Sequence, residues 1–152
     1  MAVKAVKAEQ PLVVDATHQV VGRMASNVAK LLIEGRRVVV VNAEKALISG
    51  SRKNIIYERM KRLEIKSIIN PIYTPHHPKQ PDKMLHKIIR GMLPRRKPKG
   101  QDALKRLRVY VGTPKAYRSV EKKTFEDAKA RKPLPFYLTM GEVASTLGWR
   151  AR

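Results

Sequence analysis

Gly22-Arg-Met-Ala-Ser-Asn-Val-Ala-Lys-Leu-Leu-Ile-Glu-Gly-Arg-Arg-Val-Val-Val-Val41 is the stretch whose reading decides the fold. Met24, Val28, Leu31 and Leu32 recur at i, i+4, i+7 and i+8, with Arg23, Asn27, Lys30 and Glu34 off that stripe. This is the pattern of an amphipathic helix. Gly35 is a helix stop, because glycine enters the left-handed conformation without a Cβ penalty. Val38–Val41 is a β-branched run without alternation, which reads as a strand buried on both faces. Upstream, the apolar run Leu12–Asp15 reads as a second buried strand, with a loop over 16–21. Strand, helix and strand within about 30 residues make a βαβ unit, so the two strands should be parallel with a right-handed crossover.

Further along, 42–47 is expected to hold a helical turn. Ser49-Gly50-Ser51 is a break with Ser51 as a helix N-cap. Residues 53–63 read as a second helix presenting Ile56, Met60 and Leu63 on one face. Prolines at 71, 75, 78 and 81 predict an extended loop over 70–82. Asp82 is expected to cap a third helix with the stripe Leu85, Ile88, Ile89 and Met92, ended by Pro94. A basic loop at 95–100, a short helix at 101–107 and a strand at 108–111 follow. No element is expected over 112–132. Pro135 makes 134–138 an edge strand or an extended arm, and 140–148 reads as a short amphipathic helix stopped by Gly148. Residues 1–10 are expected to form a flexible tail, and 11–152 a single α/β domain with an extended C-terminal arm.

The chain of 152 residues carries a net charge of +21, the footprint of a nucleic-acid binder. Each basic group placed on a phosphate releases condensed counterions, so the resulting affinity falls steeply with salt. No run approaches the roughly 18 apolar residues of a membrane span. The N-terminus lacks the apolar core of a signal peptide. The absence of cysteine removes disulfides, thiolate metal sites and cysteine catalysis. These features fit a cytoplasmic protein.

The strongest functional candidate lies between Lys83 and Arg118, where twelve Lys or Arg stand against one acid, Asp102. Within it, Arg95, Arg96, Lys97 and Lys99 form a run with no large apolar residue. Lys83, Lys87, Arg90, Lys105, Arg106, Arg108, Lys115 and Arg118 extend the basic character on both sides. Lysine offers point charges to phosphates, and arginine adds a planar fork for bidentate pairing or stacking. A second cluster comprises Arg52, Lys53, Arg59, Lys61, Arg62 and Lys66, partly offset by Glu58 and Glu64, with Glu58 and Arg62 at i,i+4 spacing, and a third comprises Lys115, Arg118, Lys122 and Lys123, interrupted by Glu121. His76, His77 and Lys79 stand in the proline loop. With no cysteine and only Asp82 near, the histidine pair does not make a zinc ligand set; stacking on a base or bonding to phosphate suits it better. No metal, cofactor or small-molecule substrate is expected. The twelve acids are scattered, and neither G-x-G-x-x-G nor G-x-x-x-x-G-K-[ST] is present. With only one Trp, five Tyr and two Phe, the chain should grip backbone and shape more than read bases.

In several separated motifs the chain resembles the universal large-subunit ribosomal protein thirteen family, in its archaeal or eukaryotic form. Val14-Asp-Ala16, Gly22-Arg-Met-Ala25 and Val28-Ala-Lys-Leu-Leu32 look like the family's opening. Val41-Asn-Ala43 with Ser49-Gly50 resembles its second strand and turn. Arg90-Gly-Met-Leu-Pro94, followed by Gly100, Ala103, Leu104, Leu107, Val109, Tyr110 and Gly112, resembles its signature. Met140–Trp149 is similar to the closing helix of archaeal members. The match runs through nearly the whole chain after Gln10. The resemblance implies a three-layer α/β/α fold around a four-stranded, mainly parallel sheet with extended basic loops and tails. It implies a non-enzymatic, cytoplasmic constituent of the large ribosomal subunit that binds large-subunit rRNA, touches neighbouring ribosomal proteins and supports assembly. The segment 90–108 maps to a family RNA-contacting region. Thr74–Pro81 departs from the Arg/Gly/Phe-bearing loop of the family, and the lack of a eukaryotic C-terminal extension points to an archaeal type.

Two rival readings accompany this one. A small nucleotide-binding α/β enzyme would use the loop between Asp15 and Arg23. A regulatory RNA- or DNA-binding module would act outside the ribosome.

Overall fold

The computed structural model describes residues 10–150. The tail expected over 1–10 lies outside the described residues, apart from Gln10. The opening βαβ unit is present: β1 spans Leu12–Asp15, α1 Val21–Ile33 and β2 Val38–Val41. β1 and β2 run parallel, with Leu12 opposite Val38 and Asp15 opposite Val41.

Two further parallel strands complete the sheet. β4 (Leu107–Val109) pairs with β2, and β5 (Lys122–Lys123) pairs with β1, giving the order β4-β2-β1-β5. The α/β class and the four-stranded parallel sheet are therefore those expected. β4 begins at Leu107 rather than Arg108, because Leu107 drops its side chain into the core at 1% exposure. β5 falls in a segment for which no element was expected. It is a pair of lysines joined to Val13 and Val14 through backbone alone, so no hydrophobic pattern marks it.

The pleat divides the valines. Val14, Val38 and Val40 face the main core, which α1 fills with Val21, Met24, Ala25, Val28, Ala29 and Leu32. The buried stripe of α1 passes through Leu32, while Leu31 is only half-buried against it. Val13, Val39 and Val41 face the other way, onto Tyr110 and Tyr117, whose rings lie 6.0 Å apart. Among the described residues, the side chains packed on that face come from irregular chain and the 3-10 turn Lys115–Tyr117 rather than from an α-helix. Gly112, at φ +67, and Pro114 break any helix there.

The remaining helices are α2 (Arg52–Glu64), α3 (Pro81–Met92), α4 (Pro98–Lys105) and α5 (Met140–Thr146). α3 buries Pro81, Met84, Leu85 and Ile89 beside α1. Pro81, expected in the loop, opens the helix instead, because a proline at the first helical position loses no hydrogen bond. Asp82 is accordingly a first-turn residue rather than the cap, and favours the helix through the dipole. Ser51 stands at the N-cap of α2, but its side chain makes no capping bond. α2 matches the expected face only in part: Ile56 and Leu63 pack against the core half-buried, while Met60 is 45% exposed and no residue of the helix is fully buried. α4 starts at Pro98, so Lys99 and Gly100, expected in a loop, are helical.

A short antiparallel pair lies beside the main sheet. β3 (Leu47–Ser49) pairs with β6 (Tyr137–Thr139). The turn expected over 42–47 is shortened to Ala43–Lys45 because Leu47 enters β3. The 134–138 segment is a 3-10 turn at Leu134–Phe136 followed by β6. Thr139 and Glu142 close a reciprocal capping box on α5. Gly141 of α5 rests on the Glu44 backbone, where an added Cβ would lie 3.1 Å from its carbonyl oxygen. Among the described residues no helix is long and apolar enough to cross a membrane.

Candidate nucleic-acid interface

The basic run sits on the turn between α3 and α4. Leu93, 5% exposed, anchors the end of α3 in the core. The Arg95 amide then donates to the Leu93 carbonyl at 2.7 Å, and the Lys97 amide to the Pro94 carbonyl at 2.9 Å. Gly100 completes the device: it is buried, and an added Cβ there would collide with the Pro94 carbonyl. The tight backbone holds Arg95, Arg96, Lys97 and Lys99 exposed, grouped around the N-terminus of α4. The helix dipole there favours an anion, adding to the side-chain charge. His86, Arg90, Arg95 and Lys105 line the cleft between α3 and α4 over Leu93 and Leu104. Burial pushes the His86 imidazole below its ordinary value, and Arg90 and Arg108 push it further against the opposing pull of Asp82.

A second basic cleft lies between α2, the proline loop and α3. Arg59, Arg62, His77 and Lys87 line it, with Leu63, Met84 and Leu147. The Lys87 ammonium donates to the His76 carbonyl at 2.6 Å, tying the loop to α3. Burial lowers the His77 pKa first, and then the charges of Lys87, Arg62, His76 and Arg59. Lys87 and Arg59 are likewise lowered, each by desolvation first and then by neighbouring positive charge. Glu58 reaches Arg62 at 3.9 Å, and both side chains are largely exposed, so the pair offsets little of this.

A third groove crosses the N-terminal ends of β2 and β4, lined by Arg37, Lys105, Arg106, Arg108 and Tyr117. Arg106 has a structural duty here: its Nη2 donates to the Leu32 carbonyl at 3.0 Å, closing the last turn of α1. Lys105 pairs with Asp102 at 3.0 Å, an exposed contact of small worth. At the opposite ends of the strands, Asn42 takes the left-handed conformation at φ 56. Its amide donates to the Gly112 carbonyl and its Oδ1 accepts from Thr113, while Glu44 accepts from the Gly112 amide at 2.9 Å. These bonds seat the segment that carries Lys115 and Arg118, both exposed.

The expected residues thus separate. Arg95, Arg96, Lys97 and Lys99 gather on one turn, and Arg59, Arg62, His77 and Lys87 in one cleft. Arg52 lines a different hollow, with His18, Lys45 and Trp149. Lys53, His76, Lys79 and Lys83 are exposed on the elements around the second cleft. Arg37, His86 and Tyr117 were not singled out from the sequence. The Arg36-Arg37 doublet ahead of β2 was the available signal for the first. The loop from Asp15 to Arg23, the seat of the nucleotide reading, is occupied by its own braces. The Asp15 Oδ1 accepts from the Thr17 amide, the Thr17 hydroxyl and Asn42 Nδ2 at 3.0, 2.7 and 3.0 Å. Burial would raise the Asp15 pKa, but these bonds and Lys122 together hold it below its ordinary value.

The family model described as ribosomal protein L13 matches residues 9–116. The large ribosomal subunit protein uL13 of Sulfurisphaera tokodaii is 41% identical over 141 residues, covering 92% of this chain and 96% of that protein. That of Aeropyrum pernix is 41% identical over 140 residues, covering 91% and 90%. That of Methanosarcina barkeri is 42% identical over 138 residues, covering 90% and 96%.

Proposed function

This chain belongs to the ribosomal protein L13 family, and on that premise we infer that it is a structural constituent of the large ribosomal subunit, of the archaeal type. It works in the cytoplasm as part of that subunit, and its role is structural rather than catalytic. It binds large-subunit rRNA and holds RNA segments together during assembly, with residues 11–152 acting as one unit.

One observation carries this reading. Of the basic residues between Lys83 and Arg118, every one but the half-buried Arg106 is exposed, and Asp102 is the only acid among them. A fold that displays such charge without counter-charges is built to meet a polyanion. Arg95, Arg96, Lys97 and Lys99 contact phosphates where RNA strands converge. Arg90, Lys105 and Arg108 widen that contact, and Lys115 and Arg118 form its far edge. Arg52, Lys53, Lys79 and Lys83 add contacts around α2 and α3, His76 stacks or bonds at the loop tip, and Arg106 joins through the part of its guanidinium that α1 leaves free. No cofactor or small-molecule substrate enters this function.

Neighbouring large-subunit proteins are the second class of partner. Ile68, Ile69 and Ile72 are 99%, 97% and 85% exposed. Aliphatic chains neither pair with phosphate nor stack as aromatics do, so this edge suits an apolar protein surface. The exposed Lys66, two residues before Ile68, suits a partner with an acidic rim.

Sedimentation of the tagged chain from its native lysate through sucrose gradients tests the reading. Stoichiometric co-migration with the large subunit, surviving moderate salt, is the expected result. Migration at the top of the gradient at both low and high salt would overturn it.

A further inference from the structure

We propose that the cleft between α2, the proline loop and α3 is a built seat for one phosphate group, held by Arg59, Arg62, His77 and Lys87. The source of that phosphate is the RNA backbone, a point that rests on the RNA-binding reading above.

The cleft collects positive charge from three separate elements over an apolar floor of Leu63, Met84 and Leu147. Low polarity beneath the charges strengthens both their mutual repulsion and their attraction for an anion. Among the described residues the one ion pair made by these four side chains is that of Arg62 with the exposed Glu58, at 3.9 Å. His77 Nε2 is shielded from solvent and has no hydrogen-bond partner. A buried polar atom without a partner is costly, and a phosphate oxygen would satisfy it. The bond from Lys87 to the His76 carbonyl, at 2.6 Å, fixes the loop so that the histidine is positioned in advance. The arginines contribute forked donors, Lys87 a point charge and His77 a single N–H, a mixed donor set suited to a tetrahedral anion. The pKa values of His77, Lys87 and Arg59 are lowered by desolvation first and by neighbouring positive charge second, in keeping with a charged cleft over an apolar floor.

The test uses the full chain, freed of RNA, with its histidine rings followed by NMR. Inorganic phosphate is titrated in against sodium chloride of equal ionic strength. The His77 ring signals should saturate with phosphate alone, and the His77 titration midpoint should rise because the bound dianion favours imidazolium. Lys87→Gln and, from a different element, Arg59→Gln should each abolish the saturation. Equal responses of His77 to phosphate and chloride would overturn the site.

Binding of large-subunit RNA then identifies the source. The double variant Arg59→Gln/Lys87→Gln should lower the slope of log affinity against log salt by about one. Saturation by inorganic phosphate with an unchanged slope would overturn the RNA source and leave a site for free phosphate. If the parent chain itself fails to bind RNA, the RNA-binding reading falls, while the NMR titration still decides the pocket.

Discussion

α1 and α2 are both 13-residue helices, yet α1 buries Val21, Met24, Ala25, Val28, Ala29 and Leu32, while α2 buries none of its residues. α1 follows the strand it must cover, and its stripe meets the valines of β1 and β2. α2 leaves the sheet at Ser49 and carries Arg52, Lys53, Arg59, Lys61 and Arg62 along its length. Helices in water owe most of their stability to a packed apolar face, and that of α2 is thin: Ile55, Ile56 and Leu63 lean on the core without being fully buried. The difference teaches that this chain divides its helices by task. One is sunk in the core, and the other rests on its edge and displays charge.

The sharpest way to break the comparison is Leu32→Ala. Leu32 is fully buried on α1, so the variant should lose about 2–5 kcal/mol of stability through the cavity it leaves. Chemical denaturation of the RNA-free protein measures this, and a loss below about 0.5 kcal/mol, the range of surface changes, would contradict it. The converse change acts on function alone. Replacing Arg95, Arg96, Lys97 and Lys99 together by Ala should leave the unfolding midpoint in place. It should lower the RNA salt slope by about one for each side chain that touches phosphate. An unchanged slope would remove that turn from the interface.

Thr139→Ala probes the helix that closes the core. It deletes the capping box with Glu142, in which the Glu142 amide donates to the Thr139 hydroxyl at 3.2 Å, and should cost about 1 kcal/mol. Met60→Ala on α2 should change stability by no more than about 0.5 kcal/mol, because the side chain is 45% exposed. A larger loss would show that Met60 itself packs in the free protein. The smallest effect concerns acid. The Asp15 carboxyl is held below its ordinary 3.8, so its contribution to stability is present above that value and is lost as pH falls through its lower folded value. Asp15→Asn should flatten the pH dependence of stability in that window. An identical profile in parent and variant would show that Asp15 is not its source.

Much of the fold was legible because its cause is local. Four adjacent valines imply burial on both faces, and a helical stripe ahead of them implies the crossover. β5 was not legible, since Lys122 and Lys123 join the sheet through backbone bonds that leave no mark on side-chain pattern. Periodicity proposed a face for α2 through Ile56, Met60 and Leu63; Ile56 and Leu63 do lean on the core, but a pattern cannot say that Met60 stays exposed. Pro81 looked like loop because proline forbids a helix interior, whereas at the first helical position it is harmless. Leu31 and Leu32 share a stripe, and only packing decides which of them reaches the core. In the candidate interface, residue type was legible and convergence was not. Arg59, His77 and Lys87 lie far apart in the chain and meet only because the proline loop folds back onto α3.

Lysine reactivity tests the central claim most directly: the chain in purified large subunits is compared with the free chain, residue by residue, by mass spectrometry after brief acylation. The account predicts strong protection of Lys87, Lys97 and Lys99 in the subunit, with Lys129, paired to Glu126 away from these clefts, changing least. Equal reactivity of Lys87, Lys97 and Lys99 in both states would contradict it.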